Sequence, residues 1–359
     1  MITGMLSGLV NGVQQVVFDY EVTGSAVSSI STGDIFNGDV DGLYTIITLQ
    51  VATASSSILH FCPNGDTNAN NYGARGIYAG DTTVADSSYN GGTLAGLRLS
   101  YADANKVSFG VTTLYAKAGV VRISNGYFAR GISGTTVSYL WVTGSMWSNT
   151  TDNIINGTFT SSGTNLINVG TRIIILKSNH FTGGIPTGII TTPKIAGTWT
   201  RVGSTILESA ASSVTFSGLD GNTAVCYYLS MSFKSSTTAA PAVRPNNSST
   251  ANTYGHQTLF AQNTALTALR GGTRNSFLIG WNGTYSGYVT QADLLIFSKT
   301  GFIRPSIYRF VENISGTSVE GISLCGGVWN NTSDNITSIV CSMANFAAGS
   351  QLDLYALYT

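Results

Sequence analysis

Two stretches of this chain repeat each other 182 residues apart. Trp147-Ser148-Asn149-Thr150-Thr151-Asp152-Asn153-Ile154 returns as Trp329-Asn330-Asn331-Thr332-Ser333-Asp334-Asn335-Ile336. The offset holds upstream. Ile132-Ser133-Gly134-Thr135 falls on Ile314-Ser315-Gly316-Thr317, and Lys117, Gly119 and Arg122 fall on Lys299, Gly301 and Arg304. Pro63-Asn64 falls on Pro245-Asn246, and Ala69-Asn70 with Tyr72-Gly73 falls on Ala251-Asn252 with Tyr254-Gly255. Residues 62–154 thus match 244–336 without a net gap. A period this long is a duplicated domain, because solenoid and propeller repeats run about 20–50 residues. Each copy has roughly 150 to 160 residues, enough for one core. The expected organisation is an N-terminal arm at 1–12, a first β-sandwich at 13–177, a linker at 178–197 and a second β-sandwich at 198–359.

Composition decides what the duplicated domain is made of. Charged residues are 9% of the chain, against about 25% in an average soluble protein. Helix surfaces draw on Glu and Lys, which are scarce here. Ser, Thr and Asn compete for backbone hydrogen bonds and favour turns, while Val, Ile, Thr and Tyr fit a pleated sheet. Segments such as Leu43 to Val51 and its partner Val225 to Phe233 read as strands. Val107 to Ala116, the turn Lys117-Ala118-Gly119 and Val120 to Ser124 read as a hairpin. About eight strands per copy, with turns between them and no helical period, predict an all-β chain of two tandem jelly-roll-like sandwiches.

The duplication also filters chemistry. Cys62, Cys226, Cys325 and Cys341 fall on Arg244, Tyr44, Thr143 and Phe159, so none recurs. A disulfide framework or metal site would have been duplicated with its domain, and no Cys-x-x-Cys spacing exists. Four free, mostly buried thiols are expected, with a Cys325–Cys341 bridge as the alternative, and neither a metal nor another cofactor. His60, His180 and His256 do not recur either. No Gly-x-Ser-x-Gly elbow is present, and the cleanly repeated carboxylates, Asp152 and Asp334, supply one per copy rather than an acid/base pair. The expectation is a non-enzyme. With 17 basic and 17 acidic residues there is no basic stripe for nucleic acid, and no apolar run approaches the roughly 20 residues of a membrane span.

The repeated turns are the candidate binding residues. Trp147 and Trp329 could stack on a sugar ring while Asn149, Asp152, Asn331 and Asp334 read its hydroxyls. The structural alternative is an Asx-turn at Asp152 and Asn153, with Trp covering the sandwich end. Asn70 and Tyr72, with Asn252 and Tyr254, could line a ligand groove or build a structural loop. Lys117 with Arg122, and Lys299 with Arg304, read as solvated charges protecting a sheet edge.

One further resemblance rests on Ser212-Ser213-Val214-Thr215-Phe216-Ser217-Gly218-Leu219-Asp220-Gly221-Asn222, Arg244-Pro245-Asn246-Asn247, Leu294-Leu295-Ile296-Phe297 before Ser298-Lys299-Thr300-Gly301, and Gly326-Gly327-Val328-Trp329 through Ile336. With these strings the chain resembles tailed-bacteriophage virion proteins, and the second copy is the closer match. The resemblance implies a structural virion component assembled in the host cytoplasm, either a capsid decoration protein or part of a tail appendage. It implies self-association into a homotrimer or ring and contact with major capsid or tail proteins. A host-surface glycan, bound as an adhesin module of a tail fibre, is the alternative.

Overall fold

The computed structural model describes residues 14–178 and 199–358, except 81, 90–94, 163–165, 236–237, 239, 263–264, 280–287 and 316–317. The expected arm at 1–12 and the expected linker beyond Ser178 lie outside the described residues. The first half contributes β1 (Gln14–Glu21), β2 (Ser29–Ser31), β3 (Leu43–Val51), β4 (Ser57–Pro63), β5 (Tyr72–Gly80) and β6 (Thr83–Tyr89). It continues with β7 (Leu97–Ala102), β8 (Val107–Tyr115), β9 (Arg122–Ile132), β10 (Tyr139–Trp147), β11 (Gly157–Ser161) and β12 (Arg172–Ser178). The second half contributes β13 (Trp199–Ile206), β14 (Ala211–Ser217), β15 (Ala224–Lys234), β16 (Ala242–Pro245), β17 (Tyr254–Gln262) and β18 (Ala265–Arg274). Its remainder is β19 (Phe277–Leu278), β20 (Val289–Phe297), β21 (Arg304–Ser315), β22 (Ser318–Trp329), β23 (Ser338–Phe346) and β24 (Gln351–Tyr358).

Both halves have the same topology. The first builds an eight-stranded sheet in the order β1-β12-β3-β8-β9-β10-β5-β6 and a four-stranded sheet in the order β2-β11-β4-β7. The second repeats these orders strand for strand, as β13-β24-β15-β20-β21-β22-β17-β18 and β14-β23-β16-β19. All pairings are antiparallel. The fold is all-β, with two jelly-roll-like sandwiches. Among the described residues each half carries twelve strands rather than about eight, because short strands such as β2 and β19 are too brief to leave an alternating pattern.

Each sandwich closes on its own core. In the first, Tyr44, Ile46, Leu114 and Ile175 of the large sheet meet Leu59, Phe61, Leu99 and Phe159 of the small one. In the second, Leu229, Leu294, Ile296 and Leu354 meet Val214, Phe216, Ile339 and Phe346. A third cluster joins the halves. The outer face of one large sheet, through Ile47, Leu49, Phe109 and Val111, packs on the outer face of the other through Tyr228, Leu295, Phe297 and Ile307. The chain is therefore four layers deep, small–large–large–small. Covering on both sides explains why β3 is buried at seven successive residues instead of alternating.

The contact is close. A Cβ on Gly326 would lie 2.6 Å from the Ala129 Cβ, and one on Gly255 would overlap the Thr135 carbonyl. The register also corrects the sequence alignment. Leu43 pairs with Tyr115 as Cys226 pairs with Phe297. Tyr44 therefore matches Tyr227, and Cys226 falls on Leu43 instead of Tyr44. The strands β3 and β15 are displaced by one residue because a bulge sits between Ala224 and Cys226.

Candidate functional site

Two places gather the chemistry-bearing residues. The first is the repeated turn at the sandwich end. The β8–β9 and β20–β21 hairpins close through Gly119 and Gly301 at φ 91° and 85°, a backbone region that suits glycine. Arg122 and Arg304 follow, each opposite its Trp in the register. Neither Arg is a solvated edge charge. Both are fully buried, on the inner face of the large sheet. Arg122 donates from Nη1 to the Asn149 carbonyl and from Nη2 to the Asp152 carbonyl. Arg304 donates from Nη2 to the Asp334 carbonyl and from Nη1 to Asn331 Oδ1 at 3.2 Å. Their guanidinium carbons lie 5.5 and 5.3 Å from the Trp147 and Trp329 ring centroids, within cation–π range. Burial lowers the pKa of both guanidinium groups, while the nearby carboxylates, among them Asp152 and Asp334, oppose the shift.

The Asn and Asp side chains fold the turn on itself. Asn149 Oδ1 accepts from the Thr151 and Asp152 backbone N–H groups at 3.0 Å, and its Nδ2 donates to Asp152 Oδ2 at 2.7 Å. Asn331 repeats this with Ser333 at 3.1 Å, Asp334 N at 2.9 Å and Asp334 Oδ2 at 2.7 Å. These are Asx-turns. Trp147 and Trp329 are each 1% exposed, so their ring faces meet Arg and core groups instead of a sugar. Tyr72 and Tyr254 are buried too, and donate to the Asp66 carbonyl at 2.6 Å and the Ser248 carbonyl at 3.0 Å. Asn68 caps a 3₁₀ turn through its Oδ1, which accepts from the Asn70 backbone N–H at 3.2 Å, and Asn252 takes a positive φ of 65°. The ten candidate residues belong to two copies of one clasp, which Asn64 and Asn246 tie to the next strand by donating to the Asn153 and Asn335 carbonyls.

The copies differ in what their indole N–H meets. Asp66 Oδ2 accepts from Trp147 Nε1 at 2.8 Å. Burial alone would raise the Asp66 pKa, but hydrogen bonds from Trp147, Asn71 and the Asn68 backbone outweigh it and hold the carboxyl below its usual range. Ser248 stands in that place in the second half, and Trp329 Nε1 is buried without a partner. Ser248→Asp is expected to stabilise the protein by about 1 kcal/mol, read as a higher urea midpoint. An unchanged or lower midpoint would show that the indole N–H gains nothing from the added acceptor.

The second place is a cleft. Where the two large sheets diverge, a cavity of about 650 Å³ opens between them. One wall is apolar, with Ile77, Tyr127 and Val142 of the first half. The other carries Ser230, Gln291, Asp293, Arg309 and Asp353 of the second. Tyr228 donates to Asp293 Oδ1 at 2.6 Å, and Arg309 donates from Nη2 and Nε to Asp293 Oδ2 at 3.1 and 3.2 Å. Both oxygens of this carboxylate are engaged. Burial, with Asp293 alongside, raises the Tyr228 hydroxyl well above its ordinary pKa, so it remains a donor. The arrangement is a fixed ion pair on a concave surface with one apolar wall and one mixed wall, where Leu259, Phe310 and Ile322 flank the polar groups. No sequence motif marked it, since its members come from β15, β20, β21 and β24.

The remaining reactive groups lie in the interior. All four cysteines are free and buried, so the Cys325–Cys341 alternative is not formed. Burial pushes the Cys62 thiol up to about 11 and the Cys341 thiol up to about 12. His60 and His256 are buried, and His180 lies outside the described residues. Among the described residues, no group of three or more His, Cys, Asp or Glu side chains could hold a metal ion.

No protein-family model matches the sequence, and no curated protein matches it. Among solved structures, the chain is similar to the LG1-3 region of the laminin α2 chain, at 10% identity and a TM-score of 0.21. That match covers 92% of this chain and 64% of the laminin fragment, so the chain spans less than two thirds of it. It is similar to PNGase F, a glycosylasparaginase from Flavobacterium meningosepticum, at 10% identity and a TM-score of 0.18 over 97% of both chains. It is also similar to Ail, the attachment invasion locus protein of Yersinia pestis, at 9% identity and a TM-score of 0.11, over 76% of this chain and 97% of that one. Similarities at this level carry no argument about fold or activity.

Proposed function

We propose that this chain is a non-enzymatic structural protein that self-assembles as a surface component of a tailed-phage virion, in the capsid decoration or in a tail appendage. The observation that carries the reading is the way the two modules are joined. One fold is used twice, and its outer sheet face serves as the contact surface between copies. A module that already recognises its own kind within the chain is suited to doing so between chains. The low-charge surface and the likeness to virion proteins in the Arg244-Pro245-Asn246-Asn247 and Gly326 to Ile336 segments support the same reading. So does the role of the repeated Asn and Asp residues, which spend their hydrogen bonds within the chain. Weak contacts per subunit become firm attachment when many copies bind one lattice. Sedimentation velocity on the purified chain, with cryo-electron microscopy of intact particles, tests the proposal. Concentration-dependent association and density for this fold on the particle are expected. A chain that stays monomeric at every concentration and is absent from particles would sink it.

A further inference from the structure

The duplication allows each row of the outer sheet face to be compared with its own copy. On the first large sheet, Tyr115, Ile123 and Met146 stand side by side across β8, β9 and β10. Two rows further along come Val111, Tyr127 and Val142. The equivalents of the first row in the second half are Phe297, Pro305 and Val328, which lie against the first half; Phe297 and Val328 are members of the shared apolar cluster. The equivalents of the later row are Asp293, Arg309 and Leu324.

The two halves therefore use opposite ends of the same face. The first half buries its later rows and the second half buries its earlier ones. The rows left uncovered have diverged in different ways. In the second half they have become partly polar, with Ser230 where the first half has Ile47 and Asp293 where it has Val111, while Leu324 keeps the Val142 position apolar. That is the ordinary fate of a sheet face in water. In the first half the uncovered row has stayed apolar. Tyr115, Ile123 and Met146 are 41%, 43% and 38% exposed. Val120 and Val121 of the adjoining turn are 63% and 40% exposed, while their equivalents Phe302 and Ile303 pack into the contact between halves.

We propose that this row, with its turn, is the surface through which the chain self-associates, and that it takes the same row of a second copy across a two-fold axis. The inference rests on the self-assembly reading above and names its surface. The row continues an interface that the fold already makes, with the residues of one copy buried and those of the other left open. The partner follows by elimination. The face that receives this end within the chain, around Phe109 and Val111, is already covered. Its equivalent in the second half offers Ser230, Gln291, Asp293 and Arg309, which would be left without water against an apolar row. The surface that matches the row is the row itself, and a self-complementary patch is what a two-fold contact requires. A patch of a few hundred Å² per partner falls below the roughly 800 Å² per partner of a standard interface. The association is accordingly weak and reversible.

The test uses the full chain in two variants. Ile123→Lys with Met146→Lys places like charges across the two-fold and leaves both cores untouched. Circular dichroism is expected to be unchanged, and association in sedimentation velocity is expected to weaken by roughly tenfold or more. In Met146→Cys, diamide is expected to oxidise the two facing thiols to an intermolecular disulfide, taking up their two electrons and two protons. The native cysteines are buried and do not compete. A folded double-lysine variant that associates like the parent would overturn this surface while leaving self-assembly standing. So would a Met146→Cys chain that fails to cross-link where the parent associates. A parent chain that is monomeric at every concentration would overturn both.

Discussion

Arg122→Ala is expected to destabilise the protein by roughly 3–4 kcal/mol in urea unfolding, and Arg304→Ala by a similar amount. The physical argument has three parts. The carbonyls of Asn149 and Asp152 lose the donors of a guanidinium that is itself fully buried, and an acceptor left unpaired inside the protein costs about 1–3 kcal/mol. The Trp147 ring loses the cation over its face. A cavity is left under the sandwich end, where the side chain was fully buried. Arg122→Lys separates these contributions. It keeps the charge but a point ammonium cannot reach both carbonyls as the planar fork does, so an intermediate loss is expected. A loss below about 1 kcal/mol for Arg122→Ala would mean that the Asx-turn holds itself and that the guanidinium only fills space.

Stability is expected to fall steeply as pH drops from about 6.5 towards about 4. His60 and His256 are the reason. Burial, and then the charge of Arg98, lowers His60 to about 4; burial and Arg274 do the same for His256. Both Nδ1 and Nε2 of His60 are buried without a hydrogen-bond partner, which disfavours the charged ring. In the unfolded chain each imidazole returns to about 6.5. Below that pH the unfolded state binds protons that the folded state refuses, so the contribution of each ring is intact above about 6.5 and is lost as pH falls to the folded value. The loss reaches up to about 3 kcal/mol per ring at the lower limit. Urea midpoints at intervals between pH 7 and pH 4 check this, and His60→Leu is expected to flatten its share of the slope. The lowered carboxyls Asp66 and Asp220 act below this window, so they do not mimic it. A midpoint that does not move between pH 7 and pH 4.5 would contradict the assignment of both rings as neutral.

The predicted role of Arg122 shows where linear reasoning stopped. Lys117 and Arg122 flank a hairpin turn, and charges beside a turn are ordinarily solvated. Lys117 is indeed exposed. Arg122 is drawn inside because β10 returns alongside β9 and sets Trp147 directly opposite it. A signal was present: in a chain with 9% charged residues, an Arg that recurs at the same offset as a recurring Trp is an uncommon pair. The spacing also predicts an Asx-turn, because its hydrogen bonds are local, but at Asp152 and Asn153; the side chain that accepts from the turn is Asn149. The one-residue displacement of β15 was not legible, since a bulge shifts register without leaving a gap in the repeated segment.

The cleft and the apolar row were hidden for a different reason. Val111 against Asp293, and Tyr127 against Arg309, look like random drift between copies until both are placed on one outer face. Sequence alone determined the class of structure: a scarcity of charge and a 182-residue repeat leave little but two all-β domains of one kind. Hydrogen-bonding propensity and domain size act locally and can be read along the chain. Tertiary structure alone decided which end of each sheet is covered. That depends on how two finished sandwiches lie against each other, and an aromatic ring at one equivalent position is core at Phe297 and surface at Tyr115 according to which copy holds it.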